Sequence, residues 1–175
     1  MKAPISLTVD GERHEVTVDT RTTMLDLLRE HLDVTAPKKG CDHGQCGSCT
    51  VLLDGRRHLT CLALAVQHDG AEVVTASGLP GVDGDLHPVQ QAFLDHDGYQ
   101  CGYCTPGQVC SAVGMLREAA DGHPSHVSDD LGAETVLDDD EIRERMSGNL
   151  CRCGAYVGIL AAVRQAAAAG SEQSA

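Results

Sequence analysis

Eight of the nine cysteines fall into two spaced sets, and any fold of this chain must bring each set together. The first is Cys41-x4-Cys46-x2-Cys49, followed by Cys61 after eleven further residues. The second is Cys101-x2-Cys104, completed after a long gap by Cys151-x-Cys153. Cys-x4-Cys-x2-Cys with a distant fourth cysteine is the plant-type spacing for a [2Fe–2S] centre, in which four thiolates hold two bridged irons. Thiolates are soft donors that suit such centres. Two sets imply two one-electron centres, and therefore an electron relay. Three ligands within nine residues force the first loop to wrap tightly. Gly40, Gly44 and Gly47 fit that need, because glycine tolerates positive φ and lets backbone N–H groups approach the sulfurs. Hydrogen bonds of that kind stabilise the extra electron and raise the reduction potential.

Three other chemistries compete for these cysteines. Cys46-Gly-Ser-Cys49 and Cys101-Gly-Tyr-Cys104 could each be a thioredoxin-like dithiol, but that leaves the other four grouped cysteines unexplained. Cys-x2-Cys pairs also ligate zinc, yet more than fifty residues between the pairs is too long a gap for a zinc ribbon. Cys41-Asp-His43 hints at a Rieske centre, which needs two histidines. No second Cys-x-x-His follows, since Leu64 stands three residues past Cys61. His43 therefore reads as a loop residue, and the scattered histidines are assigned no metal. Cys110 belongs to neither set and reads as a small buried hydrophobe.

Composition suits an intracellular redox protein. The 175 residues could form one domain or two small ones. Much of the 42% hydrophobic content is alanine, and the aromatics are Phe93, Tyr99, Tyr103 and Tyr156 alone. A core so poor in large side chains gains from inorganic staples. The formal charge of −13 argues against nucleic acid as a partner. Met1-Lys2-Ala3-Pro4-Ile5 lacks an apolar signal region and no run reaches membrane-span length, so a cytoplasmic location without membrane insertion is expected. Cysteines in this number without a secretion signal favour metal ligation over disulfides.

Residues 1–78 read as a small β-rich domain with one helix. Ile5, Leu7 and Val9 alternate with polar residues, as do Val16 and Val18, and Asp10-Gly11 supplies the turn. Thr23 and Asp26 suggest a helix N-terminus, with Met24, Leu25, Leu28 and Leu32 along one side. A second hairpin, Thr50 to Leu53 and Arg56 to Leu59, turns at Asp54-Gly55, and Ala71 to Ala76 supplies another strand. This is a β-grasp pattern. Residues 79–88, with Pro80, Gly81 and Gly84, read as a linker. Residues 89–170 read as a four-helix bundle. Its faces are marked by Val89, Ala92 and Phe93; by Val109, Val113, Leu116 and Ala120; by Ile142 and Met146; and by Ile159, Ala162, Val163 and Ala166. Thr105, Pro106 and Gln108 suggest a capping box at the second helix. Asp121 to Asp138 reads as a surface excursion, and a frayed tail is expected from Gly170, with 171–175 outside the bundle. The expected class is α+β.

Gln100-Cys-Gly-Tyr-Cys-Thr-Pro-Gly107 and Ser147-Gly-Asn-Leu-Cys-Arg-Cys-Gly154 resemble the two signature segments of the xanthine oxidase family. Specifically, the chain resembles the iron–sulfur subunit of molybdenum hydroxylases, from about Ile5 to Ala169. Gly122-His-Pro-Ser-His-Val127 and Glu141 to Asn149 are most similar to the bacterial aldehyde oxidoreductase branch, whose enzyme is a heterotrimer. That resemblance implies a plant-ferredoxin-like β-grasp domain followed by a helical [2Fe–2S] domain. It implies Cys41, Cys46, Cys49 and Cys61 as ligands of a cluster nearer the flavin, and Cys101, Cys104, Cys151 and Cys153 as ligands of one beside the molybdopterin. Gln100 and Cys153 match positions that contact the pterin; a loop amide capping the backbone is the other reading of Gln100. The implied partners are a molybdenum-binding large subunit, with molybdopterin as the cytosine dinucleotide, and a FAD-binding medium subunit. No catalytic residue is expected in this chain. Aldehyde oxidation is the implied reaction. A xanthine or carbon monoxide dehydrogenase subunit, a free-standing two-cluster ferredoxin and a zinc-stabilised interaction module are the alternatives. An exported member of this branch would carry a twin-arginine leader, so a periplasmic location would require a leader removed from this chain or supplied by a partner.

Overall fold

Two Asp-Gly turns set the frame of the first half. Asp10 and Gly11 adopt φ of 49° and 84°, and Asp54 and Gly55 adopt 49° and 78°. Two successive positive φ values make the turn whose twist matches a hairpin. The first joins β1 (Lys2–Val9) to β2 (Glu12–Asp19), the second β3 (Thr50–Leu53) to β4 (Arg56–Leu59). With β5 (Glu72–Val74) they form one sheet in the order β2-β1-β5-β3-β4, in which β1 and β5 run parallel. Asp10 also binds the far end of β5: its carboxylate accepts from the backbone N–H and the hydroxyl of Thr75, both at 2.7 Å. This is a computed structural model that describes residues 1–79, 85–128, 130–133 and 135–172.

The helix after β2 is short. Thr23 caps it by accepting from the Asp26 N–H at 3.1 Å. One turn, α1 (Met24–Asp26), passes into a wider π turn over Leu27–His31, closed by Leu32 N–H on the Leu27 carbonyl. Met24, Leu27 and Leu28 join Ile5, Leu7, Val51 and Val73 in the sheet core. Leu25, expected on that same side, instead packs against Cys49 and Cys61.

The second half is helical: α2 (Pro88–Asp95), α3 (Thr105–Ala120), α4 (Asp139–Met146) and α5 (Tyr156–Glu172). Phe93, Val109, Val113, Met115, Ile142 and Val163 share their core. His87 and Gln90 form a capping box at α2, and the Asp138 carboxylate caps α4 by accepting from the N–H groups of Asp140 and Glu141. The box expected at Thr105 is absent. The cap position falls on Cys104, and the Gln108 amide is directed elsewhere. No helix or strand occurs among the described residues between Ala120 and Asp139, as the excursion predicts. Residues 80–84 of the linker expected at 79–88 lie outside the described residues, but Leu79 is buried in the helical core and Pro88 already begins α2. The tail expected from Gly170 is helical to Glu172; 173–175 lie outside the described residues.

The halves share a wall. All of β3 is buried, because alternate residues serve different cores: Val51 and Leu53 face the sheet core, whereas Leu52 enters the helical one. α3 packs on β3 from the other side, which changes its expected one-sided pattern. Gly107 through Met115 are all buried, whereas Ala120, placed on the stripe, is exposed. Gly114 makes the approach possible, since a Cβ there would lie 2.2 Å from Arg57 Cγ. Arg57 reaches across the wall: its Nε donates to Glu118 at 2.8 Å and its Nη1 to the Arg145 carbonyl at 2.7 Å.

Candidate metal centres

The first set lies on the glycine-rich loop between α1 and β3, closed by Cys61 just beyond β4. Gly40 is there for space and not for φ. A Cβ at that position would stand 2.7 Å from the Cys46 sulfur. Gly44 has φ of 81°, and a Cβ would meet Leu62 at 2.5 Å. The Gln45 N–H donates to the Cys41 sulfur at 3.2 Å. The His43 N–H, ahead of further backbone donors, draws the Cys41 thiol down to about 6, so its thiolate is favoured at neutral pH. The deeper end behaves oppositely: burial pushes Cys61 up to about 12. His43 is exposed and its ring meets the Cys41 carbonyl, in keeping with the loop reading.

The second set is assembled from two places. Cys101 and Cys104 precede α3, and Cys151 and Cys153 lie between α4 and α5. Burial drives the Cys104 thiol up to about 11. Burial opposes the Cys151 thiolate too. Backbone N–H groups of Ala155, Cys153 and Gly154, together with the Cys104 thiol, outweigh it and lower the Cys151 pKa. One of these donors, Ala155 N–H, is 3.4 Å from the sulfur. The Cys151 N–H donates to the Tyr156 hydroxyl at 2.9 Å, and the Tyr103 hydroxyl to the Lys39 carbonyl at 2.8 Å. Gln100 is exposed, and its side chain makes no hydrogen bond within the described residues, so it does not cap the backbone. Cys110 is fully buried on α3, and burial raises its thiol to about 12. Cys110 thus stands apart from both expected sets.

The convergence is pairwise. Among the described residues no three His, Cys, Asp or Glu side chains are grouped to hold a single metal ion. Instead Cys41 meets Cys46, Cys61 meets Cys49, and Cys104 meets Cys151, with Cys101 close to Cys104. The Thr105 hydroxyl, beside Cys104, is buried and lacks a hydrogen-bond partner among the described residues.

Sequence reasoning did not anticipate the polar groups that join the two sets, namely Thr50, Ser111 and the side chain of Asn149. Asn149 lies in the Ser147–Gly154 segment, but nothing local discloses its partners.

Residues 7–72 match the 2Fe-2S iron-sulfur cluster binding domain family, and residues 75–164 match the [2Fe-2S] binding domain family. The aldehyde oxidoreductase iron-sulfur-binding subunit of Escherichia coli is 60% identical over 164 residues, which cover 94% of this chain and 71% of that protein. The caffeine dehydrogenase subunit gamma of a Pseudomonas species is 44% identical, over 91% of this chain and 88% of its own length. Among solved structures, quinoline 2-oxidoreductase from Pseudomonas putida matches with a TM-score of 0.80 at 37% identity, covering 98% of this chain and 97% of the matched one. The aldehyde oxidoreductase of Desulfovibrio desulfuricans also gives 0.80, at 33% identity, over 97% of this chain but 17% of that longer one. Two [2Fe–2S]-binding folds in series, sharing one wall and matched along nearly the whole chain, mark this protein as a member of the iron–sulfur subunit family of the molybdenum hydroxylases.

Proposed function

We propose that residues 1–78 hold one [2Fe–2S] centre through Cys41, Cys46, Cys49 and Cys61, and residues 89–170 a second through Cys101, Cys104, Cys151 and Cys153. The chain would then receive electrons from a molybdopterin centre in a large partner subunit and pass them toward FAD in a medium one. The pairwise approach of the thiols carries this reading. When bound, each centre supplies one-electron exchange between two iron oxidation states.

The chain's own residues supply placement and tuning. Backbone N–H groups at Cys41 and Cys151 favour the thiolate forms that metals require. The unpartnered Thr105 hydroxyl would find an acceptor in the sulfur of a bound centre. Leu25 and Leu59 line the inner side of Cys49 and Cys61 and keep water from them. Cys101 is exposed and Cys153 half-buried, so the second set opens at the surface beside Gln100. That opening suits contact with a pterin held by another subunit, with Gln100 and Cys153 facing it. Partner subunits are also supported by the exposed Leu62 above the first loop. Further support comes from an apolar cleft beside the second, where Ile142, Met146, Leu150, Tyr156, Val157 and Leu160 meet. No helix among the described residues is long and apolar enough to cross a membrane.

The preferred substrate class is an aldehyde, oxidised to a carboxylic acid in the partner subunit, because the relative at 60% identity is named for that reaction. Iron and acid-labile sulfide assays on the purified complex test the electron-relay reading. About four of each per chain are expected from two centres of two irons each, with visible absorption that dithionite bleaches. A colourless protein containing zinc would overturn it.

A further inference from the structure

The first cysteine loop and the segment ahead of the last cysteine pair meet at a buried seam, and Asn149 occupies its middle. Its Nδ2 donates to the Gly47 carbonyl at 3.0 Å, with the Thr50 hydroxyl 3.5 Å away. Its Oδ1 accepts from the Ser111 hydroxyl at 2.6 Å. Its backbone carbonyl accepts from Gln108 Nε2 at 3.0 Å. The next residue continues the join, because Leu150 N–H donates to the Cys46 carbonyl at 2.9 Å. Thr50, Gln108, Ser111 and Asn149 are all buried.

Space at the seam is equally constrained. A Cβ on Gly47 would stand 2.4 Å from the Gly148 carbonyl, and one on Gly107 would stand 2.5 Å from the Gly47 carbonyl. Backbone therefore meets backbone, and Asn149 is the side chain that bonds to both the first loop and α3 there. Asn149 uses a donor on one loop and an acceptor toward α3 at the same time. Aspartate cannot do this, since its carboxylate would face the Gly47 carbonyl with no proton to donate. A buried polar network with every member satisfied holds one arrangement against its neighbours.

We propose that Asn149 is a positioning residue that fixes the separation and orientation of the two cysteine sets, and hence of the two centres. It ligates neither iron. The inference rests on the ligand assignment above, and the test separates the two.

The holoprotein with its partner subunits is compared with its Asn149→Ala and Ser111→Ala variants by three measurements. Iron content and the two EPR signals should survive in both variants. The magnetic splitting between the two signals in fully reduced protein should change in Asn149→Ala, and less in Ser111→Ala, which keeps the bond to Gly47. Amide exchange should rise about tenfold or more in 40–50 and 147–153 together, the scale set by losing a buried hydrogen bond. A change of iron count alone would not require this paired response. Unchanged splitting at full iron content would overturn the role, as would loss of one centre, which would make Asn149 a support for ligation and not for spacing. If Asn149→Ala fails to fold, Ser111→Ala must still shift the splitting, and no shift sinks the idea. Wild-type protein short of four irons would refute the ligand assignment, and faster exchange confined to one loop would then independently refute the seam.

Discussion

The two cysteine sets solve one problem in opposite ways. The first is nearly local. Three sulfurs sit on one glycine-rich loop, braced by its own backbone through Lys38 N–H on the Ser48 carbonyl and Thr50 N–H on the Gly47 carbonyl. The second is tertiary. All of α3, the excursion and α4 separate Cys104 from Cys151, so its closure depends on how those elements pack. The excursion is tied down at that point by a buried ion pair. Arg145 Nε meets Glu141 at 3.0 Å, Arg145 Nη2 donates to the His123 carbonyl at 2.6 Å, and the Ser128 hydroxyl donates to Glu141 at 2.7 Å. A loop can present ligands by itself when glycine removes the steric barrier. Sulfurs drawn from distant segments meet only if the elements between them pack to bring those segments together.

The largest expected effect tests whether the sets are separable at all. Cys49→Ser should abolish one EPR signal and about half the iron while leaving the second signal intact, because each centre with its four thiolates is complete in itself. Loss of both signals would mean that neither half holds its centre alone.

Arg145→Ala should discriminate between local and tertiary closure. Removing one partner of a buried pair costs about 3–5 kcal/mol, and the centre at Cys151 should be lost first on heating or chelation while that at Cys41 persists. Equal loss would erase the contrast. The pair also carries a pH signature. Burial alone would raise the Glu141 pKa, but the Ser125 and Ser128 hydroxyls and the Arg145 guanidinium hold it below its ordinary value. A carboxyl lowered by folding contributes fully above the ordinary carboxyl range, and that contribution fades as pH falls through the lowered value. Wild-type thermal stability should therefore decline in acid more steeply than that of Glu141→Gln.

Gln100→Ala sharpens the contrast at the exposed face of the second set. It should retain all iron and normal reduction by dithionite, with substrate-driven reduction slowed roughly ten- to a hundredfold, the effect of losing a hydrogen bond of about 1–3 kcal/mol to a buried cofactor. Unchanged stopped-flow rates would return Gln100 to an ordinary surface amide. The smallest effect is expected at Cys110→Ser. Both signals should remain, with stability lowered by about 1–3 kcal/mol for a hydroxyl buried without a partner. Loss of either signal would reassign the ligands.

What could be read from the chain before folding follows the same division between near and far. Both hairpins were legible because Asp-Gly needs only its own backbone to turn, and the Thr23 cap because its donor lies three residues on. The Thr105 box failed for the converse reason: Gln108, whose side chain was expected to complete that box, is claimed by the Asn149 carbonyl. Leu25 is placed on the sheet side by its spacing, but its partners Cys49 and Cys61 come from the cysteine loop and the far side of β4, which the helical period cannot show. The double-sided burial of α3 and β3 was hidden, since a pattern of apolar residues cannot show that two cores share one wall. Cysteine spacing marks out two sets of four because a [2Fe–2S] centre demands four thiolates. The polar seam has no such demand, and its members met only on folding.

The Asn149 side chain completes a bond to a carbonyl 102 positions earlier in the chain. During translation at about 5–20 residues per second, the Cys41–Cys49 loop must wait roughly 5–20 s after leaving the peptidyl-transferase centre before that partner has even been made. Throughout that interval its thiols are on a loop whose seam has not formed. If those thiols take up iron and sulfide, an assembly factor would meet the loop before Asn149 could brace it.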